Sequence, residues 1–195
     1  LAAPTLVEPP APGRAVARRG GVDERSVVYS GSTGETAAVA RRAGAQVGVE
    51  ARRGYGAACQ AGVIAATGDI LVFMDGDGSF VPAECARLVA PIAAGSADLV
   101  LGTRMAGGLA PGAMPPHQLW GNKVVARLLR TLYGVRVTDL GPYRAIRSDL
   151  LQALDMQEMT YGWPVEMMVK TARRGGRLRE GTGTFRPRLA GRATG

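Results

Sequence analysis

The sequence contains few cysteine, lysine, histidine and aromatic residues. Several of these low counts exclude or disfavour a class of protein. Its two cysteines, Cys59 and Cys85, are too few for a disulfide framework or a zinc site, which fits a reducing compartment such as the cytosol. Aromatic residues make up 5% of the chain and form no stripe with basic residues, which disfavours a nucleic-acid-binding domain. No apolar run approaches the roughly 18 residues of a membrane span, and no signal peptide is expected.

The remaining composition is typical of one globular domain. Apolar residues make up 46% and charged residues 21% of the 195 residues, which is enough to bury a core. We therefore expect a single domain over residues 1–195. The net charge is +8 and rests almost wholly on arginine, since Lys123 and Lys170 are the only lysines. This charge favours anionic partners such as nucleotides or phospholipid head groups.

The stretch from Gly68 to Gly78 carries the main local signal. Five apolar residues, Ile70 to Met74, lead directly into Asp75 and Asp77, with a glycine after each aspartate. A short apolar run bounded by turn residues predicts a strand that is buried on both faces. Two carboxylates at the carboxyl end of such a strand suit a hard divalent cation such as Mg²⁺. The glycines would let a phosphate or ribose approach the backbone.

Two other interpretations of this stretch can be weighed on its residues alone. Aspartate and glycine dominate turns, so a plain turn explains residues 75–78 about as well as a metal site does. A calcium-binding EF-hand loop is disfavoured, because the sixth and twelfth positions counted from Asp75 hold Phe80 and Ala86 instead of glycine and glutamate. Support for a metal site therefore has to come from the rest of the chain.

Strands and helices are predicted to alternate over the first hundred residues. The sequence pattern predicts strands at residues 1–6, 26–29, 46–50, 70–74 and 98–102. The helices predicted between them cover residues 33–43, a stretch ending near Thr67 and a stretch that starts at Pro82. This alternation with short connections is typical of βαβ units and predicts an α/β fold with a mostly parallel sheet flanked by helices.

The second half of the chain is predicted to be more helical. It should contain a long loop over residues 103–118, helices over residues 119–133 and 148–154 and from Pro164, an edge strand over residues 143–146 and a strand near Phe185. Apolar spacing places Leu128, Leu129 and Leu132 on one face of the long helix, together with Val125. The two tryptophans, Trp120 and Trp163, are expected to be packing anchors.

Short motifs along the chain follow the order found in a known family. They are Pro4–Glu8, Gly31–Thr33, Gly54–Ala58, Asp75–Asp77, Gly102–Arg104, Gly121–Asn122, Asp139–Ile146 and Tyr161–Met167. On these motifs the chain resembles family 2 glycosyltransferases with the GT-A fold, close to the bacterial polyprenyl-phosphate and dolichyl-phosphate sugar transferases. Each motif is weak singly, and their matching order over nearly the whole chain carries the resemblance. It implies a nucleotide-sugar-binding half over residues 1–104 and an acceptor-side half over residues 105–195.

The resemblance also implies a reaction. It is the metal-dependent, inverting transfer of a hexose from a nucleotide-sugar, UDP- or GDP-hexose, to an acceptor. The implied acceptor is a polyprenyl phosphate or another small molecule, with the protein in the cytoplasm or peripheral at the inner membrane face. Asp75 and Asp77 would hold Mg²⁺ or Mn²⁺. The positions implied to bind the donor are Pro4, Leu6, Glu8, Ser32, Gly54, Gly56, Asp75 and Gly76.

Three residues outside these positions receive roles from the same resemblance. Arg104 and Arg144 would place positive charge beside phosphate groups, with Arg104 also counted as catalytic together with Asp77 and Glu166. Glu166 would act as the general base if the acceptor is a hydroxyl, whereas a phosphate acceptor needs no strong base. Solvated arginines and a Glu166–Lys170 helix pair are the simpler interpretations of these side chains.

Some positions depart from the family pattern. Tyr29 or Ser30 stands where an acidic residue usually follows the second strand, and Gly34–Glu35 replaces the usual Asp-Gly. Val7 replaces an asparagine. These changes remove a carboxylate that would contact the base of the donor. They keep open a second function, in which the protein is a catalytically impaired member that binds a nucleotide-sugar in a binding or regulatory role.

Overall fold

The computed structural model describes residues 5–8, 24, 26–29, 36–76, 79–103 and 116–185. Within these ranges the strands are β1 (Thr5–Glu8), β2 (Ser26–Tyr29), β3 (Gln46–Val49), β4 (Ile70–Asp75), β5 (Leu99–Thr103), β6 (Arg144–Arg147) and β7 (Leu178–Thr182). The helices are α1 (Thr36–Arg42), α2 (Tyr55–Ala65), α3 (Cys85–Ala93), α4 (Pro116–Tyr133), α5 (Ser148–Leu154) and α6 (Trp163–Arg173). A 3₁₀ turn, Pro82–Glu84, leads into α3.

The seven strands form one sheet in the order β3-β2-β1-β4-β6-β5-β7. The pairs β2–β3 and β5–β7 are parallel, and the other four pairs are antiparallel. Only β1 and β6 run against the rest, so β2, β3, β4, β5 and β7 share one direction and end at one edge of the sheet. The α/β fold with a mostly parallel set of strands is confirmed, with two reversed strands inserted between parallel ones.

The central strand β4 is buried on both faces, as its apolar run predicts. Leu71 and Phe73 belong to a core cluster that includes residues of α2, α4, α5 and α6. Ile70, Val72 and Met74 belong to a second cluster, which includes the buried residues of α3. Because successive side chains of a strand point to opposite faces, this division places β4 between two helical layers.

Most predicted elements occur near their predicted positions. The strand predicted at an edge over residues 143–146 is instead an interior strand, because β6 pairs with both β4 and β5. The strand predicted over residues 1–6 lies at Thr5–Glu8, and the long helix predicted from residue 119 begins at Pro116 as α4. Most of the loop predicted over residues 103–118 lies outside the described residues. Proline is well placed in the first turn of a helix, where its missing N–H costs nothing. The predicted strand over residues 26–29 has the predicted limits.

The apolar residues spaced along α4 are divided between the core and the surface. Trp163 is buried as expected, but the expectation that Trp120 is a packing anchor is wrong, because Trp120 is 71% exposed. Ala126 and Leu129 are buried, whereas Leu128 and Leu132 are 50% and 66% exposed. Asn122, a polar residue, is buried on the core side of the helix, where it donates a hydrogen bond to Asp139. Neither α4 nor any other helix of the described ranges is long and apolar enough to cross a bilayer.

Candidate functional site

Asp75 ends β4 at the edge of the sheet where the strands of common direction end. Asp75 is half-buried, and its negative charge acts on the Tyr55 hydroxyl of α2 and on the Arg144 guanidinium of β6. Burial raises the pKa of Tyr55 well above its usual value, and the neighbouring Cys59 and the charge on Asp75 raise it further. Tyr55 therefore stays a neutral phenol beside the carboxylate.

The predicted metal site can be followed in the structure as far as Asp75. The next residue, Gly76, is exposed, and glycine leaves the strand end open to a ligand. A half-buried carboxylate in this position fits a hard divalent cation that also takes phosphate oxygens. The described ranges contain no cluster of three or more His, Cys, Asp or Glu suited to a metal. Four predicted site residues lie outside those ranges: Pro4, Ser32, Asp77 and Arg104.

The direction of β1 moves Glu8 away from this site. In the antiparallel pairing with β4, Thr5 lies opposite Asp75 and Glu8 lies opposite Val72. Three residues of extended strand separate these positions by about 10 Å. The backbone of Glu8 therefore lies three residues from the sheet edge at which β4 ends with Asp75, and its implied contact with the donor stays a prediction. Leu6, opposite Met74, lies one residue from the edge.

Gly54 and Gly56 have a packing function in the structure. The N–H groups of Gly56 and Ala57 donate to the carbonyls of Thr160 and Met159, at 3.2 and 2.9 Å. A Cβ on Gly56 would lie 2.7 Å from the carbonyl carbon of Met159, and one on Gly54 would overlap its carbonyl oxygen. Gly54 also has a φ of 144°, which residues other than glycine rarely adopt. These glycines let a neighbouring backbone segment cap α2.

Arg144 is fully buried, and its guanidinium is used by the fold. It donates hydrogen bonds to the backbone carbonyls of Leu140, Gly141, Pro142 and Pro164. Burial lowers the pKa of Arg144, while neighbouring acidic groups, Asp75 and Asp139 among them, oppose that shift. These carbonyls take four of the five N–H donors of a fully buried guanidinium, which disfavours the predicted contact with a phosphate group. Arg144 therefore positions the loop before β6 and the start of α6.

Glu166 is held in an ion pair and by backbone donors. Lys170 lies 2.7 Å from its carboxylate, and the N–H groups of Gln157 and Glu158 donate to it at 2.9 and 2.8 Å. Burial alone would raise the pKa of Glu166, but these hydrogen bonds outweigh it and lower the pKa. The simpler interpretation, a Glu166–Lys170 helix pair, is therefore confirmed. A carboxylate with these partners is a poor general base.

A buried polar network beside β5 was not predicted as part of the site. Asn122 donates to Asp139 at 2.9 Å, and both side chains are buried. Glu180 of β7 accepts from the N–H and hydroxyl of Thr138, and the Thr138 hydroxyl lies 3.1 Å from that of Thr103. Asn122 and Asp139 belong to two of the family motifs, but the resemblance assigned neither residue a role in the site. The sequence feature that could have indicated this network is an asparagine on an otherwise apolar helix face.

A cavity of about 920 Å³ opens next to this network. It is lined by Lys123, Ala126, Arg127, Arg130 and Thr131 of α4 and by Val137 and Thr138. Among the described residues, three cationic side chains and no acidic one line it, so an anionic ligand suits it best. Thr138, one of the lining residues, contacts Thr103 at the carboxyl end of β5, so the cavity reaches the same edge of the sheet as Asp75.

Comparison with known proteins decides the family. The family model described as glycosyl transferase family 2 matches residues 14–155. The chain belongs to glycosyltransferase family 2. The resemblance inferred from the motifs is thereby confirmed, and with it the expected class of protein.

Relatives and solved structures of this glycosyltransferase family agree with that assignment. The chain is 40% identical over 172 residues to an uncharacterized glycosyltransferase of Mycobacterium tuberculosis, covering 86% of this chain and 75% of that protein. It is 35% identical over 130 residues to the undecaprenyl-phosphate mannosyltransferase of Micrococcus luteus, covering 63% of this chain and 51% of that protein.

A solved structure confirms the GT-A fold of the chain. Glucosyl-3-phosphoglycerate synthase of Mycobacterium tuberculosis, in complex with Mn²⁺, UDP and phosphoglyceric acid, matches with a TM-score of 0.68 and 26% identity. The match covers 86% of this chain and 61% of that one. The chain thus spans about three fifths of the synthase and about half of the mannosyltransferase.

Proposed function

We propose that this family 2 glycosyltransferase transfers a hexose from a UDP- or GDP-sugar to an acceptor, with inversion and with a divalent cation. The observation that carries the proposal is the position of Asp75, at the carboxyl end of the buried central strand and two residues before Asp77. Ligands of open α/β sheets bind at this edge. The similar synthase, crystallised with Mn²⁺ and UDP, supports a nucleotide and a metal in such a fold.

Asp75 and Asp77 would hold Mg²⁺ or Mn²⁺, with Asp75 toward the nucleoside. When bound, the cation stabilises the negative charge on a departing nucleoside diphosphate. Arg104 would add a fixed positive charge next to the phosphates. Gly76, Leu6, Pro4 and Ser32 stay proposed donor contacts, and residues 1–104 and 105–195 stay proposed donor and acceptor halves.

A phosphate acceptor fits the residues better than a hydroxyl acceptor does. Glu166, the expected base, is paired with Lys170 and has a lowered pKa. A phosphate oxygen is already a nucleophile and needs no base. The cationic cavity of α4 supports the same choice, because it suits an anionic group. We therefore favour a polyprenyl phosphate as the acceptor, with a cytoplasmic protein peripheral at the membrane face.

A second candidate, a nucleotide-sugar-binding member without turnover, has one specific observation in its favour. Glu8 lies about 10 Å from the edge that carries Asp75, and Tyr29 ends β2 where a carboxylate is usual in the family. Fewer carboxylates near the donor would weaken its binding and orientation. Turnover, and not binding, separates the two candidates.

The decisive experiment follows the release of nucleoside diphosphate from UDP- and GDP-hexoses, with and without Mn²⁺, in the presence of a short polyprenyl phosphate. Metal-dependent release should fall by about a hundredfold or more in Asp77→Asn and Asp75→Asn. Asp69→Asn is the matched control, because Asp69 is exposed and lies immediately before the opposite end of β4. Its release rate should stay close to that of the wild type.

Other outcomes decide against the transfer reaction. Metal-dependent donor binding without release would establish the second candidate. Release that proceeds equally in Asp77→Asn and Asp69→Asn would remove the metal site from the reaction. The absence of donor binding in any metal would exclude both candidates.

A further inference from the structure

Helix α4 carries a stripe of apolar side chains on its exposed surface. Trp120, Val124, Leu128 and Leu132 follow one another at intervals of four residues and are 71%, 37%, 50% and 66% exposed. Together with Tyr133 they make five of the eight large exposed hydrophobic side chains found among the described residues. An apolar surface concentrated on one helix marks an interaction site, whereas scattered single residues do not.

A row of cations lies beside this stripe on the same helix. Lys123, Arg127 and Arg130 alternate with the apolar residues along the sequence, and α4 contains no aspartate or glutamate. At about 100° per residue, the stripe covers about 120° of the helix and the cations about 60° directly next to it. The buried residues Ala126 and Leu129 lie on the opposite side, against the core.

We propose that this face of α4, with its stripe and its row of cations, docks on an anionic phospholipid surface. Apolar side chains enter the boundary between head groups and acyl chains, and neighbouring Lys and Arg side chains pair with lipid phosphates. The net charge of +8 acts in the same direction. The proposal rests on α4 alone and applies whether or not the protein transfers a sugar.

The charge pattern disfavours a second copy of the chain as the occupant. In a two-fold interface the same surface patch meets itself, and in an antiparallel pairing of two α4 helices their rows of cations would lie on the same flank. Lys123, Arg127 and Arg130 would then face like charges, with no acidic residue of α4 to balance them. A lipid surface instead supplies a negative charge for each of them. Docking would also bring the cationic cavity, which shares these three residues, to the head-group layer.

The test is flotation of the full chain with vesicles of phosphatidylcholine, with and without phosphatidylglycerol, at low and high salt. We expect binding to the anionic vesicles, weakened by salt. Tryptophan emission gives a second readout, because Trp120 is exposed and Trp163 is fully buried. A blue shift on adding anionic vesicles should occur in the wild type and be lost in Trp120→Phe.

Two sets of variants locate the docking face, each with a matched control. Leu128→Glu combined with Leu132→Glu should abolish flotation, whereas Ile64→Glu, on the equally exposed surface of α2, should not. Replacing Lys123, Arg127 and Arg130 by Gln should weaken binding by about a hundredfold. The same loss of charge at Arg41, Arg42 and Arg53, which are exposed elsewhere, should weaken it by less than about tenfold. Melting curves establish that each variant is folded.

Several results would overturn the proposal. Equal binding to neutral and anionic vesicles would remove the role of the cations. Unchanged flotation of the double glutamate variant would move the docking face away from α4. A dimer in solution that Leu128→Glu dissolves, with no vesicle binding by the wild type, would make a second copy of the chain the occupant. Failure of sugar transfer, by contrast, leaves the vesicle result unaffected.

Discussion

At the scale of single residues, Asp98 ties together three distant parts of the chain. It lies immediately before β5, and its carboxylate accepts from the guanidinium groups of Arg147 and Arg177 and from the backbone N–H of Arg177. The hydrogen bond with the Arg177 side chain is the main reason that its pKa is lowered, and burial opposes the shift. The folded state is therefore stabilised by the charged form of Asp98.

Asp98→Asn should lower the free energy of unfolding at pH 7 by about 2–4 kcal/mol, because two arginines lose a charged partner. The folded-state pKa of Asp98 is below its unfolded value, so the stabilisation is complete above about pH 5 and is lost as the pH falls further. Urea unfolding at pH 7 and pH 3 should show the difference between wild type and variant shrinking at the lower pH. A constant difference would contradict this assignment.

Two glycines in helices should respond in opposite ways to alanine. Gly56→Ala should lower the free energy of unfolding by about 1–3 kcal/mol, because the new Cβ meets the backbone of Glu158 and Met159. Gly121→Ala, in α4, should raise it by about 0.5–1 kcal/mol, since no described atom lies within 4 Å of that Cβ and alanine favours the helix. Chemical denaturation of both variants measures the contrast. Equal changes in the free energy of unfolding would mean that the backbone around Met159 shifts readily to admit a Cβ on residue 56.

At the scale of elements, buried polar side chains hold the ends of β6, α4 and α6 in place. Arg144 joins the loop before β6 to the first turn of α6 through the carbonyl of Pro164. Asn122 joins α4 to Asp139 and to the N–H of Leu140. Glu166 joins α6 to the segment that caps α2. These hydrogen bonds act together with buried apolar residues of the connecting segments, such as Val135, Val137 and Met156, to hold the loops in place.

Arg144→Lys should destabilise the protein by about 3 kcal/mol or more, because a lysine ammonium cannot reach four carbonyls that a planar guanidinium joins. Arg179→Lys is the matched control, since Arg179 is exposed on β7 and should tolerate the change. The free energy of unfolding measures both. If donor binding fell in Arg144→Lys while stability stayed unchanged, Arg144 would contact the ligand and not the loop.

The elements themselves were largely predictable from the sequence. The burial of β4 on both faces follows from its continuous apolar run. The burial of Leu88 and Ile92 on one face of α3 follows from their helical spacing of four residues. The face of α4 was predicted only in part, because Leu128 and Leu132 satisfy a helical spacing equally well whether the partner is the core or an outside surface. Periodicity shows that a face is apolar, and contacts from other elements decide where it points.

At the scale of the whole molecule, β7 forms one edge of the sheet and covers β5. β7 pairs with β5, Thr184 bonds to Glu84 ahead of α3, and Phe185 packs against Phe80. These contacts join residues about one hundred positions apart. A sheet edge that lost them would expose β5, whose residues are all buried.

A chain ending at Arg174 should therefore lose cooperative unfolding and aggregate, because β5 would become an unprotected apolar edge. A chain ending at Phe185 keeps every contact described for β7 and should unfold cooperatively, with a melting temperature close to that of the full chain. Circular dichroism melts and light scattering compare the two truncations. A soluble and cooperative shorter chain would show that β7 is dispensable.

The sequence by itself determined the α/β class, the buried strand that carries Asp75 and the family, because hydrophobic periodicity and short motifs are local properties of the chain. Only the tertiary structure decided that β1 runs against β4, that Gly54 and Gly56 admit a neighbouring backbone, that Glu166 is paired and that α4 exposes an apolar stripe. Each of these depends on which distant segment packs against the residue. Local patterns do not encode that contact, and the fold supplies it.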